Sequence, residues 1–413
     1  MKFRFIAFWL SLWLMLSFLT PTAWADNSGS PVVERYVVFG DSIAIGFEPG
    51  MTTSSVPYGY SDRIYEQALL RGRATYANYG LGGLTSTGFG KLMQAVVDAK
   101  KVTGADIQPS LADPRADQVV SDTAKIKADL AAATLVTITI GGNDIGASIV
   151  TELQTMSDAD LEAYAASWMK TYTSNVTLAL QNLFTVNKNA KVYIADQYSP
   201  VPQVLKDAYP KAQKLKETFT ATLKQIEQSF RKDGFNLTAV PVADAYVGLE
   251  GFYTHINEKD IHPNQSGYQV MAEIFAKSIW GGYRKDITAA EPITVVLNGR
   301  TLQTKFLPVL LLSSTFVPLR EYSEEGLGAT VDWDVATSTA TVRYNGKQVD
   351  LTVHATTYVV NGVTKKLPDD ISPPQSIESN GEMKTYIPLR LLAEGLGFDV
   401  QYIGQSRTAY INK

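Results

Sequence analysis

The chain contains three histidines, His255, His262 and His354, and no cysteine. Any imidazole chemistry uses one of these three rings, while thiolate nucleophiles, disulfides, Cys-ligated zinc and iron–sulfur clusters are excluded. What the sequence does offer is the set of groups that acyl transfer through a serine requires. Ser42 stands in Gly40-Asp41-Ser42, directly after the apolar run 35–39, so its expected place is a strand-to-helix corner at the carboxyl edge of a sheet. A serine hydroxyl needs a neighbouring imidazole to take its proton, and the imidazole needs an acceptor on its other nitrogen to fix the tautomer. His262, in Asp260-Ile261-His262-Pro263-Asn264, is the expected base, with Asp260 as the acid and Glu258 or no acid at all as the alternatives. His255 lacks an adjacent carboxylate in the sequence and reads as a surface or packing residue. A developing oxyanion needs donors already in place. The N–H groups of Ser42 and Gly83, with the side-chain amide of Asn143 in Gly141-Gly142-Asn143-Asp144, make a set of three. Singly, each has a plainer reading: a helix cap for Ser42, a tight turn for Gly83, an Asx-turn for Asn143.

The elements that must carry these groups alternate. Segments 35–39, 74–78, 135–140, 191–195 and 237–242 are short and rich in β-branched or aromatic residues, as strands are. Between and after them, helical patterns occupy 61–71, 116–132, 158–184, 206–232 and 265–279. In the third, Leu161, Tyr164, Trp168, Tyr172, Val176 and Leu180 recur every three or four residues, a stripe that reads as core. Strands alternating with helices predict βαβ units and a parallel, doubly wound sheet. Ser42, Gly83 and Asn143 then follow three successive strands at one edge, and His262 reaches the same edge after the fifth.

The pattern changes after about residue 285. A linker is expected over 286–292 and a second domain over 293–413, where Leu297-Asn-Gly-Arg300 and Tyr344-Asn-Gly-Lys347 are hairpin signals. In it Phe316-Val-Pro-Leu-Arg320 is echoed by Tyr386-Ile-Pro-Leu-Arg390, and Gly326-Leu-Gly328 by Gly395-Leu-Gly397. This internal duplication predicts two copies of a strand, short helix and strand unit.

The chain has 413 residues, 37 basic and 41 acidic, with no basic field to gather phosphates, so nucleic acid is not an expected partner. Residues 1–25 read as a signal peptide: Lys2 and Arg4, an apolar run over 5–19, and Ala23-Trp24-Ala25 as the cleavage site. The apolar run is too short to span a bilayer comfortably. The expectation is a secreted or cell-surface protein with no membrane span after cleavage.

The four blocks, in order, resemble the GDSL, or SGNH, family of serine hydrolases over residues 32–285. Gly59-Tyr60-Ser-Asp-Arg63 and Gly267-Tyr268 are also similar to bacterial members. The resemblance implies a flavodoxin-like α/β/α sandwich, and its Ser, Gly, Asn and His map onto Ser42, Gly83, Asn143 and His262. One departure stands out: the family places its aspartate three residues before the histidine, where this chain has Lys259, and Asp260 is two before. The second domain resembles the small repeat domain named after the copper amine oxidase N-terminus, found at the ends of exported Gram-positive proteins. That resemblance implies a stalk or surface-association role, with no copper, since the domain holds a single histidine.

The expected activity is therefore hydrolysis of carboxylic esters through an acyl-enzyme, with no cofactor and no metal. Phe47, Met51, Val56, Tyr58 and Tyr60 are candidate walls of an acyl pocket, which points to lipid or simple esters. The competing readings are a polysaccharide or cell-wall O-acetylesterase and a non-catalytic surface-binding protein.

Overall fold

In the computed structural model, residues 33–52, 54–146, 148–285, 293–312 and 314–413 are described. The expected signal peptide and the expected linker lie outside them. The five anticipated strands form one sheet: β1 (Glu34–Gly40), β2 (Ala74–Gly80), β3 (Leu135–Thr139), β4 (Lys191–Ala195) and β5 (Leu237–Val240). All pair in parallel, in the order β2-β1-β3-β4-β5. β5 stops before Pro241, which has no N–H to give the ladder.

Side chains of β1 alternate between two cores. Val37 and Phe39 face a cluster that includes Leu180, Leu183, Phe219 and Leu223 of the long helices Asp158–Val186 and Tyr209–Lys232. Tyr36 and Val38 face the other side, with Ile64, Met271 and Phe275 of the helices Tyr60–Leu69 and Gln265–Trp280. Because both faces are covered, the strands are apolar on both sides. The domain is a three-layer α/β/α sandwich of flavodoxin-like strand order.

The second domain is rich in antiparallel strands. Strands Ser314–Pro318 and Glu382–Pro388, which hold the two copies of the repeated motif, pair with each other, with Ile387 opposite Val317. Each copy continues into a helical turn, Glu321–Gly326 or Leu389–Gly395, and then a strand, Thr330–Asp334 or Asp399–Ile403. Both expected hairpins form. Asn298-Gly299 and Asn345-Gly346 all have positive φ, as a two-residue I′ turn requires.

The two domains share an apolar seam in which Ala68, Leu69, Leu70 and Ala74 pack on Val296 and Tyr410. Polar ties flank it. The Asn412 amide donates to the carbonyls of Leu69 and Gly72, both at 2.9 Å, and Tyr410 donates to Glu66 at 3.0 Å.

Candidate active site

β1 lies between β2 and β3, so the connections leaving it run to opposite sides and open a crevice at the carboxyl ends of the strands. Ser42 begins a four-residue helix, α1 (Ser42–Ile45), at that edge. Gly40 makes the approach feasible: its φ is +138°, and a Cβ there would sit 2.2 Å from the Thr139 carbonyl oxygen of β3. Asp41, 1% exposed, caps α1; its Oδ1 accepts from the Ile43 N–H at 3.0 Å and the Thr139 hydroxyl at 3.1 Å. Burial pushes the Asp41 carboxyl up from 3.8 to about 7, against the pull of those hydrogen bonds.

His262 arrives from the far end of the chain. Residues 253–264 form a closed excursion: Thr254 bridges Pro263, the His255 N–H donates to the His262 carbonyl at 3.0 Å, and the Asn264 N–H to the Tyr253 carbonyl at 2.9 Å. Asn264 then caps the helix Gln265–Trp280. This delivers His262 Nε2 to 2.9 Å from Ser42 Oγ, across 220 residues of sequence. Nδ1 lies 2.7 Å from Asp260 Oδ1, which also accepts the His262 N–H at 2.8 Å. A carboxylate only accepts, so the network assigns the proton to Nδ1 and leaves the Nε2 lone pair for the serine hydroxyl.

The departure in aspartate spacing has a local cause. Lys259 adopts a left-handed conformation, φ 64°, after the turn Ile256–Glu258, and this brings Asp260 beneath the ring two residues before it. Glu258 turns the other way, with Oε2 3.3 Å from His255 Nδ1. His255 thus faces carboxylates after all, for Glu48 Oε1 is 3.2 Å from its Nε2. Its sequence neighbours did not reveal Glu48, which comes from the loop after α1. His354 is exposed at a turn of the second domain, away from this site.

The expected oxyanion donors line the same crevice. The Gly82 N–H is committed to Asp113 Oδ2 at 2.8 Å, whereas the Gly83 N–H has no acceptor among the described residues. Gly83 has φ +78°, its carbonyl accepts from the Gln108 amide at 3.0 Å, and it lines the cavity beside Ser42. Asn143 lies in the turn Gly142–Asp144; one hydrogen of its amide is held by the Leu84 carbonyl at 3.1 Å and the other is free for a ligand. Asp144 fixes this turn by accepting from the Ser86 hydroxyl at 2.6 Å and the Ser86 N–H at 2.9 Å. Burial raises its carboxyl, and the Ser86 hydrogen bonds counter only part of that.

A cavity of about 580 Å³ opens beside these groups. One wall is Ile45 at the end of α1 and the loop after it, with Phe47, Met51 and Pro57; the facing wall is Ala112 and Pro114 with the Asp113–Arg115 pair. Burial would raise the Asp113 carboxyl, but donation from Arg115 and from the Gly82 N–H outweighs it and lowers the group. Of the five residues expected to line an acyl pocket, only Phe47 and Met51 do. Val56 is 73% exposed, Tyr60 is buried in the core against Phe275, and Tyr58 is bound to Glu66 at 2.8 Å. The period-two or helical patterns that find core residues say nothing about such a loop. Ala112, Asp113, Pro114 and Arg115 carried no signal in the sequence.

With the geometry in view, residues 36–275 match the family model described as GDSL-like lipase/acylhydrolase. The chain belongs to that family. Residues 296–411 match the copper amine oxidase N-terminal domain. No curated protein matches the chain. Among solved structures, a lipase from a goat rumen metagenome is 19% identical, with 60% of this chain and 98% of that chain covered and a TM-score of 0.41. An acetylxylan esterase from Geobacillus stearothermophilus is 15% identical, with coverages of 62% and 97% and a TM-score of 0.36. A phospholipase A1 from Streptomyces albidoflavus is 14% identical, with coverages of 59% and 98% and a TM-score of 0.37. Among the described residues no helix is long and apolar enough to cross a membrane, and no cluster of three or more His, Asp or Glu could hold a metal ion.

Proposed function

We propose that the protein is an exported esterase that hydrolyses carboxylic esters by acyl transfer through Ser42. His262 Nε2 takes the hydroxyl proton as Ser42 Oγ attacks the ester carbonyl. Asp260 holds the resulting imidazolium, and the N–H groups of Ser42 and Gly83 with the Asn143 amide receive the oxyanion. The imidazolium then protonates the departing alcohol, leaving an acyl-Ser42. Water, deprotonated by His262, attacks the acyl carbon and releases the acid. The observation that carries this reading is the continuous line from Asp260 Oδ1 through the ring to Ser42 Oγ, with contacts of 2.7 and 2.9 Å.

A cavity of about 580 Å³ walled by Ile45, Phe47 and Met51 favours an acyl group larger than acetyl. Export and surface association through residues 293–413 remain part of the proposal, resting on the sequence of residues 1–25 and on the match of the second domain. The deciding experiment is hydrolysis of p-nitrophenyl acetate, butyrate and octanoate by the mature chain and by Ser42→Ala. A loss on the order of 10⁶ in kcat is expected for the variant, as for other serine triads. Equal rates for both proteins would leave only a binding role. Acetate release from acetylated glycans, with no turnover of butyrate or octanoate, would favour the O-acetylesterase reading.

A further inference from the structure

The loop after α1 supplies one wall of the cavity, and its base is tied to the segment that carries His262. Gly46, φ +84°, abuts Gly59, so the loop leaves and returns at one point: a Cβ on Gly46 would lie 2.5 Å from the Gly59 nitrogen. From that base, the Phe47 carbonyl accepts from the Tyr268 hydroxyl at 2.6 Å, and the Phe47 ring stands edge-on to the His262 ring with centroids 4.6 Å apart. The next residue, Glu48, reaches across the same gap. Its Oε1 is 3.2 Å from His255 Nε2 and its Oε2 accepts from the Gln265 amide at 2.9 Å.

His255 is therefore held between two carboxylates, Glu48 from the cavity wall and Glu258 from its own turn, at 3.2 and 3.3 Å. A neutral imidazole has one N–H and one lone pair, so it can satisfy only one of them; the imidazolium donates to both. The other charged groups nearby are already engaged. Asp260 faces His262, with its N–H donating to the His255 carbonyl at 3.2 Å, and Arg63 reaches this corner only through Gln265, donating to its Oε1 at 2.7 Å. Lys259 follows in the left-handed turn.

We propose that His255 is a positioning residue: it ties Glu48, and so the Phe47 wall of the cavity, to the segment bearing His262, and it thereby sets the preference for long acyl chains. The proposal rests on the esterase reading above. It differs from the role of His262, which must be neutral to act and serves every ester alike. Phe47 and Met51 meet an acyl chain only when that chain extends into the cavity, so an acetyl group is indifferent to the tie.

The test is kcat/KM for p-nitrophenyl acetate and octanoate in the wild type, in His255→Gln and in Glu48→Gln. The ratio of octanoate to acetate cancels any change common to both esters. In His255→Gln this ratio should fall about threefold or more below that of the wild type, the scale of a partly exposed ion pair. In Glu48→Gln it should fall likewise, and in both variants KM for octanoate should rise while kcat on acetate is retained. Glu48→Gln approaches the tie from the opposite element and decides the matter if His255→Gln does not fold. A ratio at the wild-type value in Glu48→Gln, or a fall carried by kcat with KM for octanoate unchanged, overturns the proposal. Either result obtained beside Ser42-dependent acetate hydrolysis leaves the esterase reading intact, whereas absence of any Ser42-dependent hydrolysis would sink that reading instead.

Discussion

Replacing Asp260 by asparagine isolates one charge without dismantling its turn. The remaining side-chain carbonyl can still accept the His262 N–H that Asp260 Oδ1 now receives at 2.8 Å, so the segment keeps its path. What is lost, in the proposed mechanism, is the negative charge beside the imidazolium that forms when Ser42 gives up its proton. With Oδ1 2.7 Å from Nδ1, the centres of the two charges lie about 4 Å apart, worth about 4 kcal/mol at an effective dielectric of about 20. The two side chains are 29% and 19% exposed, so solvent screens part of this, and about 2–3 kcal/mol is a fair expectation. That corresponds to a fall in kcat of about 10², with little change in KM. It is less than the 10⁴ or so measured where the equivalent aspartate is fully buried. Steady-state hydrolysis of p-nitrophenyl butyrate measures it directly, with Glu258→Gln as the comparison. If Asp260→Asn keeps kcat within about threefold of wild type while Glu258→Gln loses about 10², the assignment of the acid is wrong and the electrostatic reasoning fails with it.

Two further predictions concern groups around the same corner. Asn143→Ala removes one proposed oxyanion donor and should lower kcat by about 10²–10³ on any ester, without changing the preference between acetate and octanoate. Asp41→Asn should alter the pH dependence of stability. With its carboxyl raised from 3.8 to about 7, the folded chain binds more protons than the unfolded one in that window, so its stability contribution is complete below 3.8 and is lost as pH rises through about 7. Asparagine keeps the acceptor for Ile43 and Thr139 but has no proton to lose. Urea denaturation should therefore show the variant gaining on wild type by up to about 4 kcal/mol between pH 4 and 8; parallel curves would contradict the assigned shift.

Much of the first domain was legible because its signals are local. The five strands were placed to within two residues at each end by runs of Val, Ile, Tyr and Thr, and the stripe from Leu161 to Leu180 placed the long helix. The Asn-Gly pairs gave both hairpins because few other residues accept two successive positive φ values. The helix Ser86–Asp98 was not anticipated, since Gly88 and Gly90 weaken any helical pattern. Gly88 leaves room for its neighbours: a Cβ there would lie 2.7 Å from the side-chain ends of both Leu84 and Gln108. The single helix expected over 116–132 is two, Ala116–Val120 and Thr123–Ala132, because Asp122 caps the second by accepting from the Lys125 N–H at 2.8 Å.

Residue order alone settled which groups reach the carboxyl edge, since each follows a strand whose direction is common to all five. Ser42, Gly83, Asn143 and His262 needed only that regularity. Which carboxylate serves His262, which of two adjacent glycines leaves its N–H unspent, and what His255 touches were decided in three dimensions. The first turned on one left-handed residue, Lys259, and the second on Asp113 taking the Gly82 N–H. The third depended on Glu48, 207 residues away along the chain. Backbone periodicity is written into neighbouring residues, but the partner of a polar group in a loop is chosen by whatever the rest of the fold brings within about 3 Å of it.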